Sequence, residues 1–301
     1  MFLILLFRLA LVALIPLSLL QSGCSSPSLE TKPLIIVSLP PYQDLVQNLV
    51  GETARVISAL PPGYDPHTAE MTPRQMQLFA KGVLWIGSGE PYEKKITRSL
   101  AEAVPDMARL TLKPTHALDS PASHGTCPHH KESGDLHFWL SLRELRPQIA
   151  SIAEVLMRLL PQEKEKIHIR LTQLTRKIDD LDQILTAQLA FAQGQFILTS
   201  HAALGYFCRD YHLKDLAVEC EGKSTSPQAA LNILQLAEKQ PPLCAFSFIN
   251  HPQKALDLIA DRLNLPVYSI DLLKPNVLKT IERLALDIAT APRFDKRTQS
   301  E

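Results

Sequence analysis

Residues 163–192 read EKEKIHIRLTQLTRKIDDLDQILTAQLAFA, thirty residues without a glycine or a proline. The apolar residues recur in steps of three or four, at Ile167, Leu171, Leu174, Ile178, Leu181, Leu185 and Leu189. This period predicts one amphipathic helix of about 45 Å at about 1.5 Å per residue. Such a helix is longer than one small domain, so we expect it to join two lobes as a rigid strut. A helical hairpin or a coiled-coil segment is the alternative.

Short apolar runs alternate with helical segments on both sides of this strut. The runs before it are residues 34–38, 55–60 and 83–86, and those after it are residues 195–200, 216–218, 243–249 and 266–270. Strand alternating with helix predicts parallel βα units. The expected fold class is therefore α/β, with two lobes that each contain a mainly parallel sheet flanked by helices.

The predicted organisation has six parts. They are a signal peptide at 1–24, a linker at 25–33, an N-terminal lobe at 34–161 with a histidine-rich loop at 120–135, the linking helix at 162–193, a C-terminal lobe at 194–292 and a polar tail at 293–301. A length of 301 residues is enough for two ordinary domains. The formal net charge is zero and the pI is about 7.1, so nothing attracts nucleic acid electrostatically.

The N-terminal segment is typical of an export signal. Residues 1–20 carry one charge, Arg8, and are otherwise almost wholly apolar; Gly23, Cys24 and a Ser/Pro-rich stretch follow. This arrangement resembles a bacterial lipoprotein signal with lipid attached to Cys24, although Gln21 stands where an aliphatic residue is usual. An uncleaved anchor and a simple secretory signal are alternatives, and all three place the folded part outside the cytoplasm.

Four further cysteines are Cys127, Cys208, Cys220 and Cys244. Disulfides are allowed outside the cytoplasm. Cys127 lies among histidines and is a candidate ligand. The other three are an odd number, so they form at most one pair, and the sequence leaves that pairing open.

Residues 123–130 read SHGTCPHH and form the core of the histidine-rich loop. Imidazole and thiolate suit zinc and related metals, and the Gly, Pro and Ser content is typical of an exposed loop. We interpret it as an auxiliary loop that captures metal weakly. Its candidate ligands are His124, Cys127, His129 and His130. The alternative is a hydrophilic surface loop with incidental histidines.

Four other residues stand at strand ends or loop exits, two in each predicted lobe. They are His67, His137, His201 and Asp271. Ligands bind outside the carboxyl ends of the strands in α/β sheets, so these side chains can converge in a cleft between the lobes. Three imidazoles and one carboxylate make a tetrahedral, zinc-type set. Spacing alone does not separate this set from ordinary polar residues at strand ends.

Five motifs, in order along the chain, carry a resemblance to a known family. They are PHTAE at 66–70 followed by TP at 72–73, DLHFWL at 135–140, SHAALGYF at 200–207, SP at 226–227, and Asp271. Over about residues 34–290 the chain resembles the solute-binding lipoproteins of ABC-type zinc and manganese importers, the cluster A-I family. The resemblance implies two α/β lobes, one long linking helix, a metal site in the cleft and ligands at His67, His137, His201 and Asp271.

The resemblance also implies a non-enzymatic, monomeric protein at the periplasm or the outer face of the cytoplasmic membrane. Its partners would be a membrane permease and an ATPase, with membrane contact only through the N-terminal lipid or signal. Three departures stand out: Ser141 replaces a common proline, residues 248–251 read FINH where Glu-x-Gln is frequent, and two leucines follow Asp271. No metal role is assigned to His251, although it could lie near the cleft.

His201 occupies the position where manganese-selective relatives often have Glu. Three nitrogen ligands favour Zn²⁺ because manganese prefers oxygen, and the histidine-rich loop favours zinc too. Mn²⁺ and Fe²⁺ are the alternatives. Because ligation requires neutral imidazoles, we expect affinity to fall below about pH 6.

Two other functions compete with transport. A secreted zinc hydrolase would need an open coordination position and a general base, and the chain has no His-Glu-x-x-His motif. An adhesin is the other, since exported members of this family have been described in that role.

Overall fold

The computed structural model describes residues 32–66, 68–116, 118, 135–219, 227–249 and 251–292. Within them the chain forms two parallel four-stranded sheets. The first contains β1 (Leu34–Val37), β2 (Arg55–Ser58), β3 (Leu84–Gly87) and β4 (Ala108–Thr111), in the order β2-β1-β3-β4. The second contains β5 (Phe196–His201), β6 (Lys214–Glu219), β7 (Ala245–Phe248) and β8 (Val267–Ile270), in the order β6-β5-β7-β8. Both sheets therefore have the same strand order, and their parallel strands confirm the α/β class.

Nine α-helices flank these sheets within the described residues. They are α1 (Gln43–Val50), α2 (Pro73–Phe79), α3 (Glu93–Ala103), α4 (Leu142–Leu159), α5 (Lys164–Leu189), α6 (Gly205–Tyr211), α7 (Pro227–Lys239), α8 (Lys254–Leu263) and α9 (Val277–Thr290). A Thr-Pro pair is typical of a helix start, so the sequence predicts Thr72 as the cap of α2. Thr72 does cap it: its hydroxyl accepts the Gln75 N–H while the Gln75 side chain accepts the Thr72 N–H. None of the helices described combines the length and apolar character that crossing a membrane requires.

The predicted strut is α5, a 26-residue helix with a 3₁₀ turn at each end, Pro161–Glu163 and Ala190–Ala192. One stripe of α5 is buried, and it consists of Ile167, Leu174, Ile178, Leu185 and Leu189. The helix packs on α1 and α4 and also on α6 and α9. One apolar core therefore runs from the first sheet through α5 to the second. The continuous helix confirms the prediction and excludes the hairpin.

Some predicted elements were wrong or missing. Residues 202–207 read as helical in the sequence, but α6 begins only at Gly205, and the Leu204 N–H donates to the buried Asp215 carboxylate at 3.3 Å. Sequence reasoning also missed α3 and β4. The four residues of β4 alternate between half-buried and exposed, so this edge strand has no apolar run that would mark it.

Cys208 and Cys244 are buried free thiols, so no disulfide joins these two residues. Burial raises the pKa of Cys208 well above its ordinary value and that of Cys244 to about 12. Both thiols stay protonated and unreactive at neutral pH. Cys220, Cys24 with the rest of the predicted signal, and the tail at 293–301 lie outside the described residues. The predicted lobe boundaries remain predictions.

A buried ion-pair network joins α4 to α6. The Glu144 side chain is fully buried, and Arg209 Nη1 donates to its Oε1 at 3.1 Å. Thr115 donates two further bonds of 2.6 Å to Glu144, from its backbone N–H and its hydroxyl. Burial alone raises the pKa of Glu144, but the bonds from Thr115 and Arg209 outweigh it and hold the pKa below its ordinary value. Ser141, where relatives often have proline, caps α4 and also donates to Asp210 on α6.

Replacing Arg209→Ala should destabilise the fold by about 3 kcal/mol, because Glu144 would remain buried without its charged partner. Thr115 would still donate two bonds to Glu144, so we expect a value at the low end of the range for breaking a buried ion pair. Urea unfolding at pH 7 measures the change. The matched control is Arg146→Ala, which breaks an exposed pair with Asp179 and should cost less than about 1 kcal/mol. Equal losses in the two variants would contradict a stabilising role for the buried pair.

Candidate metal site

A cavity of about 30 Å³ lies at the carboxyl ends of β5, β7 and β8, and loop residues from the first half of the chain complete its wall. Its lining residues are Pro66, His137, Trp139, His201, Phe248, Ile249, His251, Asp271, Leu272 and Leu273. The volume accepts one or two water-sized spheres. Three of the four ligands predicted from the sequence therefore reach one small space: His137, His201 and Asp271.

His137 is fixed by a carboxylate two residues before it. Asp135 Oδ1 accepts bonds of 2.8 Å from both the backbone N–H and the ring Nδ1 of His137. The bond from the ring keeps the proton on Nδ1, so Nε2 carries the lone pair that a metal could use. Burial lowers the pKa of His137, but the hydrogen bond and charge of Asp135 outweigh it and raise the pKa above its ordinary value. Asp135 thus selects the ring tautomer that suits ligation.

The Asp135 carboxylate in turn depends on a glycine at the start of α6. A Cβ atom at Gly205 would lie 2.6 Å from Asp135 Oδ2, which is closer than two such atoms approach. Any larger residue there would displace the carboxylate that orients His137. The glycine in the 200–207 motif therefore supports the orientation of His137, a predicted ligand far from it in the sequence.

His201 is the last residue of β5, a central strand of the second sheet, and it is 2% exposed. Its ring centroid lies 5.3 Å from that of His137, with the ring planes at 69°. The neighbouring Ser200 hydroxyl accepts the Phe248 N–H at 2.9 Å and so holds the end of β7 beside β5. The two imidazoles are therefore brought together by strand ends and loops from opposite sides of the cavity.

Asp271 follows β8 and lines the same cavity. Its Oδ1 accepts the Leu273 N–H at 2.9 Å, which closes a tight turn. The Trp139 indole donates to the Leu272 carbonyl at 3.3 Å, so the turn is attached to the segment that carries His137. Oδ1 of Asp271, one of the four predicted ligands, is therefore held by the backbone of its own turn.

The sequence assigned no metal role to His251 but allowed it a place near the cleft, and it does line the cavity. His251 lies on the turn after β7, and its ring stacks on His201 with centroids 4.3 Å apart and planes at 11°. Burial lowers the pKa of His251, and nearby His137 adds to this while Asp65 opposes it. No spacing rule links positions 201 and 251, so only the tertiary structure identifies the pair.

The remaining predicted ligands lie outside the described residues: His67, His124, Cys127, His129 and His130. Pro66, the residue before His67, does line the cavity. Across the part of the chain that is described, no group of three or more His, Cys, Asp and Glu side chains is close enough to hold a metal ion together. The structure thus brings His137, His201 and Asp271 to one cavity without completing a coordination shell, and the four-ligand set remains a prediction.

Two lobes joined by a long helix, with a histidine-lined cavity at the strand ends, define a solute-binding protein of two-lobe type. The sequence profile of the family described as zinc-uptake complex component A, periplasmic, matches residues 35–284. The chain belongs to this family of metal-binding solute-binding proteins, which is not a family of enzymes. The resemblance inferred from the five motifs is thereby confirmed.

Individual relatives agree with this assignment. A protein of Chlamydia trachomatis serovar D, provisionally described as metal-binding, is 31% identical over 182 residues; the match covers 60% of this chain and 63% of that protein, less than two thirds of its length. The high-affinity zinc uptake system protein ZnuA of Paracoccus denitrificans is 25% identical over 267 residues, covering 78% of this chain and 82% of that protein. A crystal structure of ZnuA superposes with a TM-score of 0.76 at 25% identity, covering 86% of this chain and 99% of that one.

Replacing Asp135→Asn should lower the pKa of His137, because burial would remain while the charge of Asp135 and the hydrogen bond to its carboxylate are lost. Metal affinity should fall by about 10–100-fold, as is typical when the partner of a ligating histidine is removed. NMR titration of the metal-free chain measures the pKa, and calorimetry measures the affinity. Asp257→Asn, at an exposed position on α8, is the matched control and should change neither. An unchanged pKa would remove Asp135 from the site.

The buried Asp215 supports the segment after His201 and should make stability depend on pH. Its Oδ1 accepts the Thr199 hydroxyl at 2.5 Å, and burial raises its pKa from 3.8 to about 7. The folded chain therefore binds a proton that the unfolded chain does not between about pH 4 and pH 7, so this residue lowers stability as pH rises through that window.

Replacing Asp215→Asn should remove this contribution, which is at most about 1.4 kcal/mol per pH unit. The comparison is urea unfolding of the wild type and the variant at pH 4.5, 5.5 and 6.5. The difference between their stabilities should change steadily across this range. A constant difference would mean that Asp215 keeps the same protonation state in the folded and unfolded chains.

Proposed function

We propose that this chain is an extracytoplasmic solute-binding protein that captures Zn²⁺ and delivers it to an ABC importer. The observation that carries the proposal is the pair of buried imidazoles of His137 and His201, whose ring centroids are 5.3 Å apart. Both rings line one small cavity, which Asp271 lines too. Membership of the zinc-uptake family supports it. The importer's permease and ATPase are the partners that this function requires.

His67 completes the proposed ligand set together with His137, His201 and Asp271. Three neutral nitrogens and one carboxylate oxygen form a tetrahedral set that suits Zn²⁺. Mn²⁺ prefers oxygen ligands, and Fe²⁺ binds nitrogen but stands low in the general order of affinities for such ligands. His137 is prepared for this role, since Asp135 leaves its Nε2 as the lone-pair nitrogen. The chain would bind metal as a monomer.

Two further parts of the proposal concern segments outside the described residues. Lipid at Cys24 would hold the chain at the outer face of the cytoplasmic membrane or in the periplasm. The loop that contains His124, Cys127, His129 and His130 would raise the local metal concentration near the cavity. Soft ligands in such a loop suit the same metal as the cavity does.

Purified chain should contain about one zinc ion, and the double variant His137→Ala, His201→Ala should contain none, because it loses two of the three nitrogen ligands. Elemental analysis measures the metal. The matched control is His168→Ala, which removes an exposed imidazole of α5 and should keep the zinc. Affinity should also fall below about pH 6 as protons compete for the imidazoles.

Zinc that survives in the double variant would contradict a cavity site. A triple variant in which His124, His129 and His130 are replaced by alanine would then show whether the loop holds the ion. Manganese or iron at one ion per chain would keep the binding function and overturn the choice of zinc. Delivery is tested separately, by zinc uptake into vesicles that contain the importer. Uptake that proceeds equally with the double variant would contradict delivery.

A further inference from the structure

The ring of His251 lies flat against the ring of His201, a proposed ligand. Its ring stacks on the His201 ring at 4.3 Å with the planes at 11°, and its edge meets Phe248 at 6.5 Å and 81°. It belongs to the same cavity lining as His137, His201 and Asp271. An imidazole in this place is either a further metal ligand or a support for His201.

The ring geometry decides against a shared ion. An imidazole nitrogen binds metal along its lone pair, which lies in the plane of the ring. Lone pairs of two nearly parallel stacked rings run in separate planes and do not meet at one ion. The rings of His137 and His201 are not parallel: their planes cross at 69°, so their lone pairs can converge on one ion. In the stacked arrangement His251 therefore contacts the face of a ligand without being one.

The backbone fixes His251 in this position. Its N–H donates to the Phe248 carbonyl at 3.2 Å, and the Phe248 N–H donates to the Ser200 hydroxyl at 2.9 Å. The stacking ring is thus tied to the residue that precedes His201. His251 is partly exposed whereas His201 is 2% exposed, so the His251 ring separates the His201 face from solvent.

We propose that His251 is a positioning residue that holds the His201 ring in its ligating orientation and closes one side of the cavity. This inference rests on the proposed metal-binding function. Its consequence is kinetic: with the His251 ring in place, the His201 imidazole cannot rotate away without breaking the stack, and bound metal leaves slowly. An aromatic ring is required at position 251, and a nitrogen donor is not.

Three variants separate the ring from its nitrogen atoms. His251→Phe keeps an aromatic face without a donor, His251→Gln keeps polar donor and acceptor atoms without a ring, and His251→Ala has neither. Stopped-flow release of zinc to an excess of chelator measures the dissociation rate. We expect release about tenfold faster in the Ala and Gln variants, in the range found for partners of ligating histidines, and within about twofold of wild type in the Phe variant.

A second readout uses no metal. Long-range ¹H–¹⁵N spectra of the metal-free chain report the His201 ring, whose signals should broaden in the Ala and Gln variants and stay sharp in the Phe variant. Release as fast in Phe as in Ala would overturn the stacking role and make His251 a nitrogen ligand. Equal rates in all four proteins would overturn any role for His251.

These outcomes differ from failure of the proposed function. If the wild-type chain binds no zinc, the proposed metal-binding function is overturned, and so is the proposed effect of His251 on the rate of zinc release. Wild-type chain that binds one zinc ion, and releases it at the same rate as the Ala variant, would overturn only the role of His251.

Discussion

Burial of one stripe of α5 is the interaction on which the other features depend. Five apolar side chains of this helix are buried, and each contributes about 1.5–3 kcal/mol of transfer free energy. Their sum is comparable with the whole net stability of an ordinary domain, about 5–15 kcal/mol. Because the same stripe packs on helices beside both sheets, the relative position of the sheets is fixed by the core and not by a bound ion.

That fixed frame allows the cavity to be built from separate supports. Asp135 orients His137, Ser200 and Phe248 hold the strand ends beside His201, and Trp139 attaches the turn of Asp271. Each support is a bond between a ligand segment and its neighbour, so none of them requires metal. The buried pair of Glu144 and Arg209 links α4 and α6, the helices that follow the segments of His137 and His201.

The features that sequence predicted share a local or periodic cause. The period of α5, the cap at Thr72 and the fully buried runs of β1, β3 and β5 can all be recognised within a few residues. β4 was missed because a half-exposed edge strand of four residues needs only its neighbour β3 to form. The sequence allowed His251 a place near the cleft, but its stack on His201 joins two strand ends and has no local pattern that would predict it. Three of the four predicted ligands, His137, His201 and Asp271, line the cavity, and the family motifs rather than any spacing pointed to them.

The small volume of the cavity separates cations by their hydration. At about 30 Å³ it has no room for an ion with its shell of water, so an ion must exchange that shell for protein ligands on entry. Mg²⁺ gives up its water reluctantly, and Ca²⁺ needs six to eight oxygen ligands at about 2.3–2.6 Å. Mg²⁺ would therefore be disfavoured by the free-energy cost of its dehydration, and Ca²⁺ by the small number of ligands that it would find. Only the choice among transition metals would then be left to the imidazoles.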